Sequence, residues 1–105
     1  MAYSKKEQFT DEEIWLADIA KSLSHPARIS ILKILNRMNS CMVGSLVDQL
    51  PLSQSTVSQH LGELKRIGLI TGEIDGPKIC YCINKETLTK AKMAMDKLFT
   101  HIGCC

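Results

Sequence analysis

Missing from this 105-residue chain is any apolar run near the ~18 to 20 residues that a membrane-spanning helix needs. The opening stretch MAYSKKEQFTDEE also lacks the apolar segment of a secretory signal. These two absences predict a soluble, cytoplasmic protein with no membrane partner. A charge excess is missing as well. The 13 Lys and Arg stand against 11 Asp and Glu, a formal net charge of +2, so bulk charge does not point to a sequence-blind polyanion binder. Any nucleic-acid binding has to come from a local surface. No Ser/His/Asp order, Gly-rich phosphate loop or paired carboxylate site stands out, and so small a core leaves little room for a substrate cleft. A non-enzyme is expected. Repeats and low-complexity tracts are absent too, and 45% hydrophobic residues with 6 Gly and 3 Pro describe one ordinary folded domain over 1–105.

What is present is a succession of helical signals. Thr10 and Glu13 fit a capping box, and Ile14, Trp15, Ala17, Ile19, Ala20 and Leu23 then recur at helical spacing, which predicts a first helix over about 11–23. Ser24 is placed to cap a second helix with Pro26 in its first turn, running to the polar break at Asn39-Ser40. Gly44 or Ser45 opens a short third helix that Pro51 stops. Ser53 caps a fourth, in which Val57, Leu61 and Leu64 fall at i, i+4 and i+7 and Gly68 supplies the left-handed end. The period then changes. Residues 69–74 and 78–83 read as two strands joined by Asp75-Gly76-Pro77, with Ile79, Tyr81 and Ile83 on one face and Cys80 and Cys82 on the other. Asn84 caps a fifth helix whose Leu88, Ala91, Met95, Leu98 and Ile102 follow the 3-4 spacing of a seam covered by a partner helix.

Helix, short helix, tight turn, polar-faced helix and hairpin form a winged helix-turn-helix, a mainly α fold of order α-α-α-α-β-β-α. Its chemistry points to double-stranded DNA. Ser53, Gln54, Ser55, Thr56, Ser58, Gln59 and His60 are short or planar donors and acceptors suited to base edges, on a helix whose N-terminus favours a phosphate. Lys65 and Arg66 further along, and Lys78 at the hairpin tip, are placed to neutralise phosphates. Taken alone, Ser-Gln-Ser-Thr is equally a solvated helix start; its position between turn and hairpin favours the DNA reading.

Three segments carry a family resemblance: Leu23-Ser24-His25-Pro26-Ala27-Arg28-Ile29-Ser30-Ile31-Leu32, Leu52-Ser53-Gln54-Ser55-Thr56-Val57-Ser58-Gln59-His60-Leu61 and Leu64-Lys65-Arg66-Ile67-Gly68-Leu69-Ile70. In order and spacing they resemble the ArsR/SmtB family of bacterial metal- and metalloid-responsive repressors, over about residues 14–84. The resemblance implies a homodimer joined by the first and last helices (10–23 and 85–102), a palindromic operator, and release of DNA when an inducer binds. One departure matters. The positions of the family's Cys-X-Cys at the third helix hold Met42 and Gly44 here, with Cys41 one residue off, and the fifth helix lacks the family's zinc-binding Asp-X-His pattern. The inducer is therefore not implied by membership.

Five cysteines remain, held reduced in a cytosol. Cys80 and Cys82, two apart on a strand, have Cα atoms roughly 6.5 to 7 Å apart, at or beyond the disulfide limit, so a shared soft ion is easier than a bond. Otherwise they are small hydrophobes half covered by the last helix. Cys104 and Cys105 form a tail pair able to wrap a trivalent arsenic or antimony centre, which takes about three thiolates, given a third from elsewhere. Cys41 is a buried turn residue or that third ligand. A helix over 85–101 spans ~25 Å, which separates the strand pair from the tail pair within one chain. The tail pair is the preferred metalloid site and the strand pair the alternative, with As(III) or another thiophilic ion as inducer. His25 reads as a helix-start residue, and His101, one turn from Cys105, as a possible member of a mixed Cys/His zinc site. Two other functions fit the same fold: a thiol-redox or persulfide sensor, and a protein-interaction module without DNA.

Overall fold

The computed structural model describes residues 8–38 and 41–103. In chain order they form α1 (Asp11–Ser22), α2 (Pro26–Met38), β1 (Cys41–Met42), α3 (Val43–Gln49), α4 (Gln54–Arg66), β2 (Ile70–Asp75), β3 (Lys78–Ile83) and α5 (Lys85–Ile102). The winged helix-turn-helix expected from the sequence is the fold observed.

The helix ends follow local chemistry. The capping box forms, with Thr10 Oγ1 accepting from the Glu13 amide at 3.0 Å and Glu13 Oε1 from the Thr10 amide at 2.8 Å. Ser24 is a correction. Pro26 occupies the first helical position of α2, so the cap falls to His25, whose Nδ1 accepts from the Ala27 amide at 3.0 Å. Ser24 instead closes α1, its hydroxyl donating to the Lys21 carbonyl at 2.7 Å. Gly68 (φ 89°) ends α4, with its amide on the Lys65 carbonyl and the Leu69 amide on the Leu64 carbonyl, both at 3.0 Å. A side chain at that φ would be strained.

The sheet holds a second correction. Three strands pair antiparallel in the order β1-β3-β2, because the two-residue β1 takes the outer edge of β3, with Cys41 opposite Tyr81 and Met42 opposite Cys80. Cys41 is thus a strand residue rather than a turn residue. Between β2 and β3, Ile70, Gly72 and Ile74 face Ile83, Tyr81 and Ile79.

Ile19 of α1, Ile31 and Leu35 of α2, Leu46 of α3, Val57, Leu61 and Leu64 of α4, with Leu69 and Ile70, close one core. Burial of each such side chain contributes ~1.5 to 3 kcal/mol. The core sets α4 across the domain with its apolar stripe inward and the outer side of its first two turns uncovered.

Candidate nucleic-acid interface

The turn Leu50-Pro51-Leu52 separates α3 from α4 and ends at Ser53, whose extended backbone and hydroxyl begin the second helix. Ser53 Oγ accepts from the Thr56 amide at 3.3 Å and pairs with the Thr56 and Ser55 hydroxyls at 3.0 and 3.2 Å. This small hydroxyl network holds the cap. It leaves Gln54, Ser58 and Gln59 exposed and without side-chain partners within the described residues.

Beside these turns lies a cleft of about 580 Å³ between the start of α3, the start of α4 and the hairpin, with Ser45, Gln54, Ser58 and Lys78 as its polar lining. Lys78 is exposed on the wing. Lys65 is turned toward the wing root, its ammonium 3.5 Å from where a Cβ on Gly72 would stand, beside the Tyr81 ring. Lys65 of α4 and Lys78 of the hairpin thus stand beside the uncharged Gln54, Ser58 and Gln59.

Two residues expected on this surface are not free there. His60 is 8% exposed and accepts at Nδ1 from Arg28 Nε at 3.1 Å, because it falls with Val57, Leu61 and Leu64 on the inward stripe. Burial, with the charges of His25 and Arg28 beside it, holds its pKa below the usual imidazole value. Arg66 is engaged in a fork with Asp18 of α1 at 3.0 and 3.3 Å and with Glu63 at 3.1 Å. Its guanidinium holds both carboxyls below their ordinary range, and they raise its own pKa. Arg28 and Asp18 have no role in the sequence reading, and His25 has only that of a helix-start residue, which its cap on the Ala27 amide bears out. The signal that finds them is the spacing of Val57, His60, Leu61 and Leu64, at i, i+3, i+4 and i+7, which turns His60 toward α2.

Cys80 and Cys82 are free thiols, half-buried, on the sheet face away from Tyr81. Cys104 and Cys105, and with them the expected zinc partner of His101, lie outside the described residues. Among the described residues no three His, Cys, Asp or Glu gather as a metal site. On α5, Met93, Leu98, Phe99 and Ile102 are exposed. No helix among the described residues is long and apolar enough to cross a membrane.

The model of a family described as "Bacterial regulatory protein, arsR family" matches residues 25–71, from the residue before Pro26 to the second residue of β2. The chain is also 33% identical over 90 residues to the arsenical resistance operon repressor of Staphylococcus xylosus, covering 86% of each. It belongs to the ArsR family. It is 41% identical to the HTH-type transcriptional repressor SmtB of Mycobacterium tuberculosis over 82% of this chain and 61% of that one. An ArsR-like transcriptional regulator from Rhodococcus sp. RHA1 superposes with a TM-score of 0.77 at 26% identity, over 90% of this chain and 88% of that one. As an ArsR-family member the chain is a DNA-binding transcriptional regulator and not an enzyme.

Proposed function

We propose that this ArsR-family chain is a repressor that binds a palindromic operator as a homodimer and leaves it when a thiophilic inducer, arsenite or a related metalloid, is bound by its cysteines. The observation that carries the DNA half is α4 itself. Its inward stripe is locked in the core, and its uncovered turns present Ser53, Gln54, Ser55, Ser58 and Gln59 as a neutral strip of donors and acceptors, flanked by Lys65 and Lys78. Thr56 is half-buried and serves the cap. In this reading residues 1–105 are a single domain with 10–23 and 85–102 as its dimer helices, and the exposed apolar residues of α5 support it. Two copies then set two α4 helices about one DNA turn apart.

Five cysteines in a chain whose relative is named for arsenical resistance support the thiol half. A trivalent arsenic takes three thiolates. Cys104 and Cys105 are the preferred ligands, Cys80 and Cys82 the alternative, and Cys41 a candidate third. Cys80 and Cys82 fit in part: they are free, half-buried and share one strand face, supplying two soft donors.

Operator release measured with arsenite, antimonite, cadmium, zinc and peroxide, in wild type and in the two double Cys→Ser variants, tests both halves. Release by arsenite that Cys104→Ser/Cys105→Ser abolishes is expected. Release lost only in Cys80→Ser/Cys82→Ser moves the sensor to the wing. Release by peroxide alone, with covalent mass retained after denaturation, replaces the metalloid with a thiol-redox signal.

A further inference from the structure

Arg28 is the side chain at which three helices meet. Its Nε donates to His60 of α4 at 3.1 Å, while Nη1 donates to the Ser22 carbonyl at 3.2 Å and the Lys21 carbonyl at 3.5 Å, the last carbonyls of α1. Both lie at the negative end of the helix dipole; the Lys21 carbonyl is already held by Ser24, so the guanidinium satisfies the Ser22 carbonyl and the charge of the helix end. His60 is buried, its ring centroid 4.4 Å from that of His25 and tilted by 46°.

We propose that Arg28 is a positioning residue for the operator-reading helix: it ties α4 to the end of α1 through the acceptor nitrogen of His60, and a proton on that nitrogen unties it. The proposal rests on the reading of α4 as the helix that meets DNA. Nδ1 accepts only while it is unprotonated; once protonated it becomes a donor pointed at a donor. The charged and titratable groups against the ring are His25 and Arg28 at the start of α2; Arg28 in turn lines a cleft with Lys21 and Asp18 of α1 and Glu63 and Arg66 of α4. Arg66 already engages Asp18 and Glu63, so a cationic His60 would sit between His25 and Arg28 with those two anions committed elsewhere. Its lowered pKa, caused first by burial, agrees with this geometry.

A second tie joins the same two helices, the fork from Arg66 to Asp18. It stays intact near neutral pH, because the Asp18 carboxyl is held below its ordinary range. Acid therefore loosens one tie and keeps the other. The helix then turns about its Arg66 end and carries Gln59, the neighbour of His60, with it. Because α1 leans on α5, the same two arginines hand the orientation of the dimer helices on to the DNA-reading face.

The test is the ratio of operator affinity to non-specific DNA affinity, measured from pH 8 down to pH 5 on an operator selected from random DNA. Taking the ratio cancels the general gain in DNA affinity as the protein acquires charge. In wild type the ratio should be flat at high pH and fall below pH 6.5, with a slope approaching one proton per protomer. His60→Asn keeps an acceptor near the Nδ1 position without a titrating proton, and should still select the operator with the acid slope gone. Arg28→Lys keeps the charge but loses the fork, and should lower the ratio about tenfold at pH 7.5 and flatten its profile. Circular dichroism of each variant separates loss of fold from loss of the tie. A wild-type slope equal to that of His60→Asn overturns the proposal. So does a slope that survives in His60→Asn and vanishes in His25→Asn, which makes His25 the titrating group. Absence of any operator preference in wild type at pH 8 is a different result, and sinks the DNA reading of α4 itself.

Discussion

The outer faces of α4 and α5 are both left bare by the chain, and their chemistry is opposite. On the first two turns of α4 the uncovered positions are Gln54, Ser55, Ser58 and Gln59, backed by a full apolar stripe. On α5 they include Met93, Leu98, Phe99 and Ile102, and only Ala91 is buried. A neutral polar face loses little by standing in water and gains by meeting polar edges, whereas apolar side chains in water gain chiefly from being covered. Exposure alone therefore does not distinguish the two faces. The residues exposed are the basis for proposing a nucleic acid at one and a second copy of the chain at the other.

Substitutions that exchange these characters test the assignment. The largest effect is expected from Leu98→Asp, which places a charge in the α5 seam of both copies and should weaken dimerisation by roughly 2 kcal/mol or more. Sedimentation at micromolar concentration reads it, and a wild type already monomeric there removes self-association from the comparison. Next is Gln59→Ala on α4, expected to lower operator affinity by ~1 to 3 kcal/mol while leaving non-specific binding nearly unchanged. Equal operator binding by variant and wild type shifts the reading surface elsewhere. Smaller again is Lys78→Ala, which should weaken operator and non-specific DNA alike and reduce the salt slope by about 1 per wing. An unchanged slope takes the wing tip off the phosphates.

The smallest effect belongs to Asp18→Asn, which breaks the partly exposed fork to Arg66. The folded-state pKa of Asp18 lies below its ordinary 3.8, so the stabilisation is present above that pH and is lost as pH falls through the lowered value. Urea unfolding should show the variant slightly weaker at pH 7, with the gap closing in acid. A gap that persists in acid would mean that the contact is packing rather than charge.

Much of this arrangement was legible before any coordinates. Ser53 at the cap, Val57, Leu61 and Leu64 on one stripe and Gly68 at the end describe α4 to the residue, because capping and periodicity are local properties. His60 was misplaced for the same reason. A polar residue one step from Gln59 groups with its polar neighbours by local pattern, and only the partner Arg28, 32 positions earlier in the chain, explains why it turns inward. Arg66 reads locally as a free cation; its hold on Asp18, 48 positions away, depends on how α1 lies against α4. The strand β1 is two residues long, too short for any period, and exists because β3 has an edge to satisfy. What sequence reasoning missed was tertiary in each case.

That short strand changes how force can pass through the domain. β3 is the middle strand: one edge is bonded to β2, the other to β1, and its end runs through Asn84 directly into α5. β1 in turn runs without a break into α3, the first helix of the helix-turn-helix pair. A pull on the start of α5 is thus carried along a backbone strand and across ladder hydrogen bonds to the base of α3, without crossing the side-chain core. The hairpin and the base of α3 thus share one hydrogen-bonded ladder, and a displacement at the start of α5 reaches both through backbone alone.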